Sequence, residues 1–158
     1  MKHKIIVLQG IPSSGKTTWA KSWVNADSEH RVRFNRDDIR NMLGKYWVPS
    51  RESLINTIYD SFLNQAMLEE YDIVLDNMNL NPKTIAEIKE TVKEFNEWIS
   101  LSTVDLHYDI KYQTFFDIPL EECIARDAKR ENPIGEEVIR NIYNKYKDII
   151  NDLSGKQE

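Results

Sequence analysis

The sequence predicts an α/β fold, a parallel β-sheet of about four strands flanked by helices. Three observations predict it. Short apolar runs alternate along the chain with segments whose apolar residues recur at helical spacing, the pattern of repeated strand–helix–strand units. The first run, Lys4-Ile5-Ile6-Val7-Leu8-Gln9, leads directly into Gly10-Ile11-Pro12-Ser13-Ser14-Gly15-Lys16-Thr17-Thr18, which fills every fixed position of G-x-x-x-x-G-K-[ST]. Charged and amide side chains then gather just after the apolar runs, where a parallel sheet offers the carboxyl ends of its strands to a ligand.

Each element has its own warrant. Residues 4–9 read as a buried strand, and Trp19, Ala20, Trp23 and Val24 form the apolar face of a helix running to about residue 25. His30-Arg31-Val32-Arg33-Phe34-Asn35 alternates polar and apolar, as a second strand does. A short helix over 36–43 breaks at Gly44, and apolar pairs from Leu54/Ile55 to Ala66/Met67 mark a longer one. Ile73-Val74-Leu75 is a buried strand ending on Asp76. Pro82 opens a helix whose face is Ile85, Ile88, Val92, Phe95 and Ile99. A fourth strand is expected over 111–118, with 100–110 left unassigned. Helices over 119–130 and 138–153 complete the chain, and the polar tail 154–158 is expected to fray.

Composition narrows the class. At 158 residues, 41% hydrophobic and 30% charged, the chain is expected to form one globular domain spanning 1–158. No apolar run approaches the ~20 residues of a membrane span, so no membrane partner is expected. The amino terminus lacks a signal-peptide pattern. A single cysteine, Cys123, excludes an internal disulfide, and its helical setting suggests a buried, inert thiol. Scattered histidines give no zinc spacing. A reducing, cytoplasmic location fits all of this. Residues 31–51 carry six basic and two acidic side chains, whereas 52–105 carries eleven acidic and three basic ones. The first stretch reads equally well as a positive channel for a polyanion or as solvated helix faces.

The candidate site follows from the loop. Gly10 and Gly15 let the backbone curl so that the N–H groups of the Pro12-Ser13-Ser14 segment point inward at phosphate oxygens. Lys16 reaches the β/γ-phosphates, Thr17 can ligate Mg²⁺, and Thr17 and Thr18 open a helix whose positive end faces the same spot. The expected cofactors are therefore ATP and Mg²⁺. After the second strand, Asp37 or Asp38 can take the proton of an attacking hydroxyl, the other serving as a helix cap. Asp76, after the third strand, suits a bond to the Thr17 hydroxyl or to a metal-bound water. Arg126, Lys129 and Arg130 fall on one helical face and can close over a polyphosphate.

Together, Gly10–Ala20, Asn35-Arg36-Asp37-Asp38-Ile39-Arg40, Asp76-Asn77-Met78-Asn79-Leu80-Asn81-Pro82 and Phe116-Asp117-Ile118-Pro119 with Arg126 and Arg130 resemble the kinase domain of phage-type polynucleotide 5′-hydroxyl kinases over about residues 4–147. The resemblance implies a P-loop kinase fold and an ATP-dependent kinase acting on the 5′-hydroxyl of DNA or RNA. It implies Asp37 as general base, Arg40 as a contact to the acceptor strand, Lys16 and Thr17 at the phosphates and metal, and Arg130 with Arg126 as the lid over the donor. Asp76 and Asn79 are expected on the acceptor side.

Met78 departs from the Thr common in related enzymes. Anchoring the match on Asn79-Leu80-Asn81-Pro82 lets the functional acid fall on Asn77 instead of Asp76. With no Asp-x-Asp-Gly-Thr-like signature, removal of 3′-phosphates is not expected. Asn144-Lys145-Tyr146-Lys147-Asp148 has one residue too many to read guanine, and Leu153-Ser154-Gly155-Lys156-Gln157 only resembles a transporter signature. The alternatives are a P-loop kinase of a small hydroxyl compound (a nucleoside, antibiotic or sugar nucleotide) and a nucleotide-binding switch without an acceptor.

Overall fold

Side-chain parity along the first strand assigns every residue to a layer. In the computed structural model, which describes residues 1–155, β1 (Lys2–Gln9) runs between two parallel neighbours. Ile5 and Val7 point to one face, where they join Ile73 and Leu75 in the largest apolar cluster. Ile6 and Leu8 point to the other, against Ala20, Trp19, Trp23 and Val24 of α1 (Lys16–Asn25). Both faces of β1 are buried, which is why it reads as an unbroken apolar run.

The remaining elements are β2 (Arg31–Phe34), α2 (Arg36–Met42), a 3₁₀ turn (Pro49–Arg51), α3 (Glu52–Leu68), β3 (Asp72–Leu75), α4 (Pro82–Ser100), β4 (His107–Thr114), α5 (Leu120–Ala128) and α6 (Glu136–Gly155). The four strands are parallel in the order β2-β3-β1-β4. The β1–β2 and β3–β4 connections therefore run in opposite directions across the sheet, and the carboxyl ends of β1 and β3 flank the point where direction switches, the favoured ligand crevice of such sheets. Helices α3 and α4 cover the Ile5/Val7 face, with Ile55, Tyr59, Leu63, Ile88, Val92 and Phe95 buried there. Asn81 caps α4 by accepting a hydrogen bond from the Lys83 amide at 3.0 Å, and Pro82 occupies the first turn, where its missing N–H costs nothing. A third apolar cluster joins Ile11 of the phosphate loop and Leu80 to Cys123, Ile139 and Ile150, seating α5 and α6 at the carboxyl end of the sheet. Cys123 is fully buried, and burial pushes its thiol pKa up.

Three expectations change. The fourth strand spans His107–Thr114 rather than 111–118. Its start is fixed by contacts distant in sequence: the Asn96 amide exchanges hydrogen bonds with the Tyr108 backbone at 2.9 Å, and the buried Tyr108 hydroxyl donates to the Tyr71 carbonyl at 2.6 Å. Phe115, Phe116 and Ile118 leave the sheet, Phe115 edge-on to Trp19 and the other two on the α5–α6 cluster. The basic residues after β4 do not share one helix, because α5 ends at Ala128 and Arg130 sits in the following turn. At the carboxyl end, Ser154 and Gly155 continue α6, with the Ser154 hydroxyl on the Ile150 carbonyl at 2.8 Å. Residues 156–158 of the expected frayed tail lie outside the described residues.

Candidate active site

The phosphate loop is shaped by backbone conformation. Ser13 and Gly15 both take positive φ (63° and 101°), and alternation of this kind turns successive N–H groups into one concavity. Gly15 is also the residue from which α1 starts, so the helix points its positive end into that concavity. Gly10 has a packing reason. A Cβ there would stand 2.7 Å from Ser14 Oγ and 3.1 Å from Phe115 Cβ. Pro12 is half-buried in the turn, and Thr18 is exposed on the first turn of α1. The loop is tied down at its base, the Gly10 amide donating to the Met78 carbonyl at 3.2 Å.

Lys16 is 8% exposed, and its Nζ donates to the Ile11 carbonyl at 2.7 Å and to Ser14 Oγ at 3.4 Å. Burial, with a smaller contribution from Arg130, lowers its pKa to about 8 against the attraction of Asp76 and Asp37. The ammonium is thus held at a desolvation cost that a polyphosphate would offset. Thr17 Oγ donates to Asp76 Oδ2 at 2.8 Å, and Arg33 Nε donates to the same oxygen at 2.7 Å. Asp76 is 1% exposed, yet its Oδ1 has no hydrogen-bond partner among the described residues. A buried carboxylate oxygen without a donor fits a water on a divalent cation, and Thr17 offers a hydroxyl oxygen beside it. Residues suited to Mg²⁺ are therefore in place. Ser13 Oγ is likewise buried and unpaired, at the phosphate end of the cradle.

The acceptor-side residues are arranged differently. Asn35, not either aspartate, caps α2, accepting from the Asp38 amide at 3.0 Å; this corrects the expected Asp cap. Asp38 instead pairs with Arg33. Asp37 is half-exposed, and its Oδ1 accepts from Arg40 Nη1 at 2.6 Å and from the Tyr46 hydroxyl at 2.7 Å, leaving Oδ2 open to a third donor. Arg40 also forks onto Glu52, with Nη2 at 2.7 Å and Nε at 3.2 Å. Asn79, expected at the acceptor, is turned into the protein. It is 4% exposed, its Nδ2 donates to the carbonyls of Leu8 at 2.7 Å and Leu75 at 3.1 Å, and its own carbonyl accepts from Gln9 Nε2 at 3.1 Å. Asn79 thus ties the ends of β1 and β3 together from a left-handed backbone (φ 49°). Asp76, expected on the acceptor side, lies against Thr17 on the metal side, and Asn77 does not take that contact.

Arg126 lies on α5 and Arg130 in the turn after it. Arg126 Nη1 lies 3.7 Å from where a Gly15 Cβ would sit, and its Nε is paired with Glu122 at 2.9 Å. Arg130 faces Asp127 at 3.6 Å. Buried Asp127 also accepts from the Ile134 and Gly135 amides at 3.0 and 2.9 Å, which fixes the turn joining α5 to α6.

Apart from exposed Lys45, the basic stretch 31–51 is engaged by its own surroundings. Arg31 stacks 4.7 Å over Trp23, Arg36 stacks 3.9 Å over Tyr59, and Arg51 donates to the Leu43 carbonyl at 2.7 Å. Arg33, Tyr46 and Glu52 were missed by sequence reasoning, although they touch Asp76, Asp37 and Arg40 respectively. Only the outward-or-inward parity of Arg33 on its strand hinted at a role.

Comparison with known proteins gives the family and the fold. A family model described as an AAA domain matches residues 5–149. The chain belongs to that family. This AAA domain has a P-loop kinase fold. It is 25% identical over 146 residues to the L-seryl-tRNA(Sec) kinase of Methanococcus maripaludis, covering 90% of this chain and 52% of that protein. Among solved structures it resembles a chain of the Pnkp1/Rnl/Hen1 RNA repair complex, with TM-score 0.75, 24% identity, and coverage of 98% of this chain and 46% of that one. A second structure of a Pnkp1/Rnl/Hen1 complex gives TM-score 0.65 and 25% identity over 78% of this chain and 38% of the other. The AAA domain thus spans about half the length of the curated relative it matches. Among the described residues, no helix is long and apolar enough to cross a membrane.

Proposed function

We propose that this domain transfers the γ-phosphate of ATP to the 5′-hydroxyl of a DNA or RNA chain. The observation that carries the reading is the relation of Asp37 to Lys16. A half-exposed carboxylate with one open oxygen follows β2 at the carboxyl end of the sheet, and its charge counters the lowering of the Lys16 pKa by burial. A hydroxyl bound there meets a proton acceptor on one side and the terminal phosphate on the other. Asp37 Oδ2 takes the hydroxyl proton as the oxygen attacks the γ-phosphorus; the bond to the ADP oxygen breaks, and ADP leaves with the electron pair. Lys16 and the loop amides hold the β- and γ-phosphates, while Arg126 and Arg130 offset charge on the transferring group. Thr17 and Asp76 would hold Mg²⁺, directly and through water, and that ion supplies neutralisation of the phosphate oxygens. The motif resemblance of Asn35–Arg40 and Asn79–Pro82 supports a nucleic-acid acceptor, as does the likeness to a chain of a Pnkp1/Rnl/Hen1 complex.

A second reading is favoured by one observation, the relative named as a seryl-tRNA kinase: the hydroxyl would then sit on a small group, free or carried by tRNA. Incubation with γ-labelled ATP and a panel of 5′-hydroxyl DNA, 5′-hydroxyl RNA, 5′-phosphate controls, nucleosides, serine and seryl-tRNA separates the two. Label is expected on 5′-hydroxyl oligomers and not on their 5′-phosphate counterparts. Label confined to the small or seryl acceptors would replace the first reading with the second.

A further inference from the structure

We propose that Tyr46 and Trp47 form a seat for a nucleobase, the base of the nucleotide whose 5′-hydroxyl is phosphorylated; the proposal rests on the 5′-hydroxyl kinase reading. The loop carrying them is held in shape by its backbone. It turns at Gly44 in a left-handed conformation (φ 109°), Arg51 clamps the Leu43 carbonyl at 2.7 Å, and the 3₁₀ turn at Pro49–Arg51 follows. Neither aromatic side chain joins the three apolar clusters; Tyr46 is 49% and Trp47 54% exposed. Leaving two large rings in water forgoes favourable burial, so a polar tether must hold the loop open. The tether is the Tyr46 hydroxyl on Asp37 Oδ1 at 2.7 Å, with the Arg40 guanidinium 5.8 Å from the Tyr46 ring centroid.

This tether locates the seat. A hydroxyl that gives its proton to Asp37 must lie within about 3 Å of that carboxylate. The Tyr46 phenol oxygen is already bound to the same carboxylate, so whatever is joined to the carbon bearing that hydroxyl lies near the Tyr46 ring, with exposed Trp47 next to it in the chain. A nucleotide places a flat aromatic base one sugar away from its 5′-hydroxyl. A serine or an open-chain alcohol has no such surface to offer. Stacking needs no particular base, because every base has a π-face. Lys45, next to Tyr46, adds a positive charge suited to the following phosphate.

Two acceptors differing only in the base of the first nucleotide test this: a 5′-hydroxyl trinucleotide and the same trinucleotide with an abasic first position. The intact acceptor is expected to have a kcat/KM about tenfold to a hundredfold higher, the range that one base–aromatic stack supplies. Tyr46→Ala and Trp47→Ala should each bring that ratio toward one, chiefly through KM, and Trp47→Phe should restore most of it. Thermal melts of the Trp47 variants check that the exposed side chain is not needed for folding. Equal use of intact and abasic acceptors by the wild type, or a ratio unmoved by both alanine variants, overturns the seat while leaving the kinase reading intact. Absence of label on either trinucleotide, with ATP still bound, removes the kinase reading and the seat with it.

Discussion

The donor and acceptor halves of this site are built on opposite plans. Around the phosphate loop, main-chain groups and buried side chains form the cradle. Lys16 is held at a desolvation cost, and Asp76 Oδ1 and Ser13 Oγ are buried without partners. Around residues 35–52, exposed charges are instead satisfied by one another: Arg40 by Glu52 and Asp37, Asp38 by Arg33, and Asp37 by Tyr46. The first half carries a deficit that a ligand fills, so its geometry is set before ATP arrives. The second half has its charges paired, so under the proposed function an acceptor phosphate would compete with Glu52 for Arg40. Donor affinity should thus be coupled to folding and to the titration of Lys16, and acceptor affinity to salt and to ion-pair exchange.

The largest expected break in this contrast is Asp37→Asn. Turnover should fall by roughly 10²–10⁴ with ATP affinity unchanged, since the amide keeps an acceptor oxygen but takes no proton. Near-normal turnover in single-turnover kinetics would remove Asp37 as the base. Next is Gly10→Ala, whose methyl group would meet Ser14 Oγ at 2.7 Å and Phe115 Cβ at 3.1 Å. A loss of about 1–3 kcal/mol in urea unfolding is expected, together with weaker ATP binding. Weakened ATP binding at unchanged stability would show that the close packing matters to the ligand alone.

Titration of Lys16 gives a smaller, graded effect. ATP binds the ammonium form, so affinity should be flat below pH 8 and fall by up to about tenfold per pH unit above it. The stability effect has the opposite sign. The folded pKa of about 8 lies below the ordinary 10.5, so the unfolded chain holds more protons between these values. The Lys16 contribution to stability therefore rises with pH across that window, and at pH 7 the residue is a cost. Lys16→Met should accordingly lose ATP binding yet melt no lower than wild type, as calorimetry can check.

The smallest effect is expected of Glu52→Gln. Freeing Arg40 should lower acceptor KM by about two- to fivefold, most visibly at low salt. An acceptor KM that rises instead would assign Arg40 to holding α2 on α3.

The donor half was largely legible in the sequence because its requirements are local. The loop needs glycine at 10 and 15, a lysine and a hydroxyl in fixed order, and a strand before and a helix after, all within about two turns of chain. The α4 start was legible for the same reason, in Asn81 and Pro82. Misreadings occurred where partners lie far apart. The β4 boundary depends on Asn96 and Tyr71, and the role of Asn79 on the carbonyl of Leu8; the α2 cap is the local exception, where Asn35 and not an aspartate accepts from the Asp38 amide. The two aspartates looked interchangeable because charge alone does not say that Arg33 will claim Asp38 while Tyr46 claims Asp37.

By itself, then, the sequence determined the α/β alternation, the phosphate loop and the identity of the ionisable groups near it. Periodicity and backbone demands act over neighbouring residues, and such signals survive in one dimension. The tertiary structure alone decided which charges are spent on one another and which are left open. That division depends on groups brought together from distant strands and helices, such as Arg33 with Asp76 and Arg40 with Glu52. Electrostatic pairing follows distance in space, which the order of residues along a chain does not record.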